Sequence, residues 1–120
     1  LAAAARAGVP VVSSMGAATR LDPLAVRVGD LFETEVCPLA RLIRKRLRRR
    51  GVEGVLRCVY SIEPAAPAPP ADGEAEEEAP AAARGRPRQA LGSVSCLTGI
   101  FGLTAAAEAV RLLLARGSAE

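Results

Sequence analysis

Seven of the sixteen cations in the chain stand between Arg41 and Arg50, and this is the stretch best equipped to do chemistry. Several guanidiniums on one helical face can release counterions from a nucleic-acid backbone and bond phosphate oxygens in pairs. The plainer reading of the same residues is the solvated face of an amphipathic helix. No aromatic side chain is interleaved with them, so such contact would read backbone and shape and not bases. Cys37, Cys58 and Cys96 are odd in number and far apart, with no C-x-x-C pair, so neither a disulfide framework nor a zinc site follows from them. Cys37, beside Pro38 at a helix start, is the candidate reactive thiol, because a helix N-terminus favours the thiolate. Cys58, inside an apolar run, is expected to be buried, and Cys96 to be inert. Histidine is absent, which excludes His-based triads and His-ligated metals within these residues. Neither a G-x-G-x-x-G nor a G-x-x-x-x-G-K-[ST] loop occurs, so the means of gripping a triphosphate are not encoded here.

These residues need elements to hold them. Residues 1–7 are Ala-rich and helical, with Gly8 placed for a left-handed C-cap, and the apolar run 9–15 reads as a buried strand. A helix closing on Gly and feeding a β-branched strand is half of a βαβ unit, which predicts an α/β sheet. Residues 16–23 form a turn-rich loop ending in Asp22-Pro23, and 25–29 alternate as a half-exposed strand does. Pro38 suits the first turn of a helix in which Leu39, Leu42, Ile43 and Leu47 form one apolar stripe, with Arg50-Gly51 ending it. Residues 55–62 read as a further strand. From Ser93 or Ser95, as cap, a long apolar helix is expected to run to about Arg116 and to end at Gly117.

Half of the residues are apolar, yet only Phe32, Tyr60 and Phe101 are aromatic, so the core of this 120-residue chain is small and Ala-rich. Such a core is expected to be completed by another segment or by a second subunit. The net charge of +3 decides little by itself, because a bias toward Ala, Arg, Gly and Pro produces it without selection for binding. The first residues read as the end of a helix already under way, and no secretory leader pattern is seen. Between residues 65 and 89 the chain turns to Pro, Glu and Arg, with four Glu in 74–78, and disorder is expected. The organisation expected is therefore 1–64, a 65–89 insert, and a closing helix within 90–120. The apolar stretch 91–107 is short for a membrane span and is followed by Glu108 and Arg111. The Gly99-Ile-Phe-Gly102 spacing points instead to close packing in a soluble core or a dimer interface.

Several ordered blocks then carry a resemblance. They are Val11-Val-Ser-Ser-Met-Gly-Ala-Ala-Thr-Arg-Leu-Asp-Pro23, Val28-Gly-Asp-Leu31, Cys37-Pro-Leu-Ala-Arg41 with Arg44-Lys-Arg-Leu-Arg48, Cys58-Val-Tyr-Ser-Ile-Glu63, and Thr98-Gly-Ile-Phe-Gly-Leu103. Together they resemble the tRNA threonylcarbamoyladenosine dehydratases, within the wider ThiF/MoeB adenylating superfamily. The family's usual Asp before Pro-Leu-Ala is Cys37 here. The resemblance implies the second half of a Rossmann-like adenylating domain, with a mixed sheet and flanking helices, and an enzyme that uses ATP and Mg to activate a tRNA-borne carboxylate. By the same resemblance the nucleotide loop lies upstream of Leu1. Ser14, Met15, Gly16 and Arg20 would then edge the adenylate pocket, and Arg41, Arg44, Lys45, Arg48 and Arg49 would contact tRNA. A homodimer, a sulfur-transfer or carrier-protein partner, no stable membrane insertion and a cytoplasmic or organellar location are the accompanying expectations. Two other readings stand beside it: an adenylating enzyme that loads a sulfur-carrier or ubiquitin-like protein, and an inactive binding remnant.

Overall fold

The computed structural model describes residues 1–66 and 92–117. Apart from its first two residues, the insert expected to be disordered at 65–89 lies outside the described residues. Three strands form one mixed sheet: β1 (Val12–Ser14), β2 (Val26–Asp30) and β3 (Arg57–Ser61), in the order β1-β3-β2. β3 runs parallel to β1, with Ser13 opposite Cys58, and antiparallel to β2, with Val28 opposite Val59. Parallel pairing needs a crossover and cover on both faces. α1 (Ala2–Arg6) and α2 (Pro38–Arg48) lie on one side, and α3 (Ser95–Gly117) on the other. Alternation along β3 divides the core accordingly. Cys58 joins Met15, Leu31, Ala40, Leu47, Val52 and Leu56, while Val59 faces Leu97 and Phe101.

The expected element order holds, with shifted edges. The run 9–15 pairs only over Val12–Ser14, and Val9 is exposed. Pro10 has no N–H to add to a ladder, so the strand cannot begin earlier on that side. Val55 is exposed as well, because Gly54 (φ +119) turns the chain before β3 starts at Arg57.

The stripe predicted for α2 needs a larger correction. The helix buries Ala40 and Leu47, with Ile43 and Arg44 half-buried, whereas Leu39 and Leu42 remain 42% and 45% exposed. Positions 40, 43, 44 and 47 share a face, and the small Ala40 lets the helix settle on it; Leu39 and Leu42 lie round the cylinder. α2 begins with Pro38 in its first turn, as expected, and closes where Gly51 takes φ +64 and the N–H of Val52 reaches Leu47 O at 3.1 Å.

α3 covers the sheet with one narrow stripe: Leu97, Phe101 and Glu108 are buried, and Leu103, Val110 and Leu113 are exposed. Its first turn opens from Val94, whose carbonyl accepts the Thr98 N–H at 3.1 Å. Gly99 and Gly102, expected to allow close packing, have no neighbouring atom within 4 Å of the point a Cβ would occupy, so nothing within the described chain lies against them.

Candidate functional site

In open α/β sheets, ligands sit beyond the carboxyl ends of parallel strands. Here those ends are Ser14 of β1 and Ser61 of β3, and the loop 16–22 and Glu63 close over them. Met15 is buried at the end of β1, its N–H donating to Val59 O at 2.8 Å, which fixes the start of the loop. Gly16 follows. Ser14 is exposed beside it.

Arg20 is the centre of this loop and is only 3% exposed. Its Nε donates to the Glu63 carbonyl at 3.0 Å and its Nη1 to the carbonyl of Gly16, while Nη2 is buried with no hydrogen-bond partner among the described residues. No carboxylate lies within ion-pair distance of it among the described residues. A cation buried among neutral carbonyls is costly, since desolvation is not offset by an opposite charge.

Glu63 locks the loop from the other strand. Its carboxylate accepts from the N–H groups of Leu21 (2.9 and 3.1 Å) and Asp22 (2.8 Å), and its own N–H donates to Ser61 Oγ at 3.0 Å. Thr19, held at φ +60, donates its N–H to Gly92 O at 2.9 Å, and its carbonyl accepts the Ala66 N–H at 3.3 Å. The two described chain ends that flank residues 67–91 therefore meet at one loop residue. Sequence reasoning assigned no role to Glu63 or Thr19. The available signal was an acidic residue directly after a strand and before Pro64.

Gly16, Thr19 and Arg20 line a cavity of about 220 Å³ together with Cys37, Pro38 and Leu39. Cys37 is thus brought to the loop that holds Gly16 and Arg20. It is the N-cap of α2, but it is buried at 3% exposure in the core beside Met15 and Ala40. The chain enters α2 through Val36 at φ +64, with Cys37 N–H reaching back to Glu35 O at 2.6 Å, a strained entry for a β-branched residue. Cys58 is fully buried, as expected; burial first, then the Asp30 charge and Cys37, push its thiol up to about 11, so it stays protonated. Cys96 is exposed on α3. A larger cavity, of about 410 Å³, lies at the opposite, amino ends of the strands, lined by Val9, Val55, Arg57 and Leu112, away from the loop.

The cations of α2 separate into two groups. Arg44 turns inward: its Nη1 donates to Thr34 O at 2.6 Å, to Thr34 Oγ1, and to Leu31 O at 3.3 Å. Arg48 lies over the Phe32 ring, 5.7 Å from its centroid. Arg41, Lys45, Arg46 and Arg49 are exposed. The five residues expected to contact tRNA therefore do not share one surface, because Arg44 ties α2 to the turn before it.

The sheet, its crossover and the loop at its carboxyl ends define a part of a Rossmann-like adenylating fold. The chain superposes on the crystal structure of the E. coli tRNA N6-threonylcarbamoyladenosine dehydratase TcdA in complex with AMP, with a TM-score of 0.76 and 27% identity, over 99% of this chain and 44% of that one. No family model matches the chain. Among curated proteins it is 36% identical over 103 residues to tRNA threonylcarbamoyladenosine dehydratase 1 of Saccharomyces cerevisiae, covering 82% of this chain and 24% of the relative. It is also 31% identical over 123 residues to the E. coli dehydratase, covering 92% of this chain and 44% of the relative. By these matches the chain is TcdA-like, similar to the tRNA threonylcarbamoyladenosine dehydratases, and it spans less than half the length of the curated relatives it matches.

Proposed function

We propose that the chain forms part of an ATP-dependent enzyme that activates the carboxylate of threonylcarbamoyladenosine in tRNA, which then cyclises by expelling the ATP-derived leaving group, a net dehydration of the nucleoside. The observation that carries this reading is the loop 16–22, clamped by Arg20 and Glu63 at the carboxyl ends of β1 and β3, in a chain similar over 92% of its length to such an enzyme. Ser14, Met15, Gly16 and Arg20 are assigned to the edge of the adenylate pocket. The orphaned Nη2 of buried Arg20 beside a cavity fits an anionic ligand, because an approaching phosphate or carboxylate oxygen would supply the acceptor and the opposite charge that the guanidinium lacks. ATP supplies the leaving group that makes a carboxyl carbon electrophilic; these residues hold and orient. Mg is ordinarily held by one or two carboxylates together with nucleotide phosphates; the described residues contain no group of three or more His, Cys, Asp or Glu that would hold it by themselves, and no step is assigned to the metal here.

tRNA is the proposed macromolecular substrate, and the cytoplasm the proposed location. α3 is long and apolar enough to cross a membrane by length and composition. We assign it to the sheet and to a second copy of the chain, on the strength of buried Leu97, Phe101 and Glu108 on one side and exposed Leu103, Val110 and Leu113 on the other. The deciding experiment gives the gene product containing this chain ATP together with tRNA that carries threonylcarbamoyladenosine, or tRNA that lacks it. ATP consumption that rises only with the modified tRNA is the expected result. Equal consumption in both, or stimulation by a carrier protein without tRNA, would exclude the proposal.

A further inference from the structure

Helix α2 carries its cations at a cost that its packing does not explain. None of Arg41, Lys45, Arg46 or Arg49 forms an ion pair within the described residues, and no acidic residue occupies the first turn of the helix. Arg41 and Lys45, and Lys45 and Arg49, stand four residues apart, a spacing at which like charges repel on a helix. Arg41, Lys45 and Arg49 fall along one exposed line about 12 Å long at the helical rise. Arg48, stacked over Phe32, flanks that line with a fixed guanidinium. The apolar face of the helix is already spent in the core on Ala40, Ile43 and Leu47. Lying in a membrane surface would need such a face free, and the exposed pair Leu39 and Leu42 is too small to replace it. A single-sign field without interleaved carboxylates offers little to specify a protein partner, whereas it suits the evenly repeated phosphates of a nucleic acid.

We propose that Arg41, Lys45 and Arg49 form an RNA-backbone contact edge with Arg48 at its flank, and that Arg44 takes no part in binding but positions the helix through Thr34 and Leu31. The inference rests on the reading that the substrate is tRNA, and it narrows that contact to one side of α2. Recognition along this edge is of backbone and not of sequence. Of the three aromatic rings, Phe101 is buried, Phe32 lies under Arg48 and Tyr60 is half-buried, so none is free for base stacking.

The test measures binding of the full chain to fluorescently labelled, unmodified tRNA by anisotropy across a salt series. A log–log salt slope of about −2 to −3 is expected, from roughly 0.7–0.9 per phosphate neutralised. Each of Arg41→Gln, Lys45→Gln and Arg49→Gln should reduce the slope by about 1, and the triple variant should lose most of the affinity. Arg44→Gln should lower the melting temperature and leave the slope unchanged. A triple variant that keeps its slope and affinity overturns the proposal, as does an Arg44→Gln effect confined to the slope. Binding to anionic phosphatidylserine vesicles that tRNA does not compete away, or to polyglutamate in preference to tRNA, assigns the edge to another partner and also overturns it. The assay needs no turnover. A slope that falls as expected, in a protein whose ATP use ignores tRNA, therefore sinks the enzymatic reading and leaves this inference standing.

Discussion

The helices on the two faces of the sheet spend their surfaces in opposite ways. α2 is short, buries its apolar face around Ala40 and Leu47, and turns a row of cations to solvent. α3 is twice as long and buries only Leu97, Phe101 and Glu108, leaving Leu103, Val110 and Leu113 exposed. A charged face costs little to hydrate, so what α2 shows to water can be selected for binding. An exposed Leu row carries an unfavourable hydration free energy that is recovered only when something covers it. Exposure alone does not identify a working surface: on α2 we propose that it serves recognition, and on α3 that it awaits a covering partner.

If that division is right, the α3 side of the core depends on very few side chains. Phe101→Ala should cost about 3–5 kcal/mol, because Phe101 fills most of a cluster whose other buried members are Val59 and Leu97. A denaturant midpoint shift equivalent to less than about 1 kcal/mol would mean that α3 hardly packs on the sheet, and the comparison would fail. The α2 side is open to attack by pH instead. The Cys58 thiol is raised from an ordinary 9.0 to about 11, first by burial. Its contribution to stability is therefore complete below pH 9 and is lost as pH rises through 11, a loss on the order of 2 kcal/mol. Urea midpoints measured across that window for the wild type and for Cys58→Ala should converge as pH rises; parallel curves would remove Cys58 as the cause. Smaller again is the tie between α3 and β3, where Arg57 Nε meets Glu108 Oε1 at 2.6 Å. Glu108 is buried while Arg57 remains about one third exposed, so Glu108→Gln should cost only about 1–2 kcal/mol. A larger loss by thermal melting would show that the pair is shielded more than its exposure implies.

The order of elements and the mixed α/β class were legible because each depended on local signals: Gly8 and Gly51 in the left-handed region, Pro38 in a first turn, and alternation along 25–29. The burial of Cys58 followed from its apolar neighbours. What could not be read was tertiary. The inward turn of Arg44 depends on carbonyls ten and thirteen residues earlier, and the clamp of Glu63 on Leu21 and Asp22 spans more than forty residues. No periodicity encodes either one. The α2 stripe was misplaced by the same limit. Leu39 and Leu42 are more apolar than Ala40, yet the space against the sheet accepts the smaller residue and the stem of an arginine.

The smallest predicted effect is the one that bears most directly on why α2 looks as it does. Arg41 stands near the positive end of the helix dipole and four residues before Lys45, so it meets an unfavourable dipole and an unfavourable neighbour together. Arg41→Glu reverses both terms, placing an anion near the N-terminus and a Glu-to-Lys pair in the preferred order. Each term is worth a few tenths of a kcal/mol, so the variant should be more stable than the wild type by about 0.5–1 kcal/mol. It should at the same time bind tRNA more weakly. A helix shaped only for stability would already carry the acidic residue, which means that stability gained together with binding lost identifies Arg41 as kept for its partner. Loss of both would place Arg41 in the fold. Unchanged binding would leave the exposed face of α2 no more than a solvated surface, and the contrast with α3 would disappear with it.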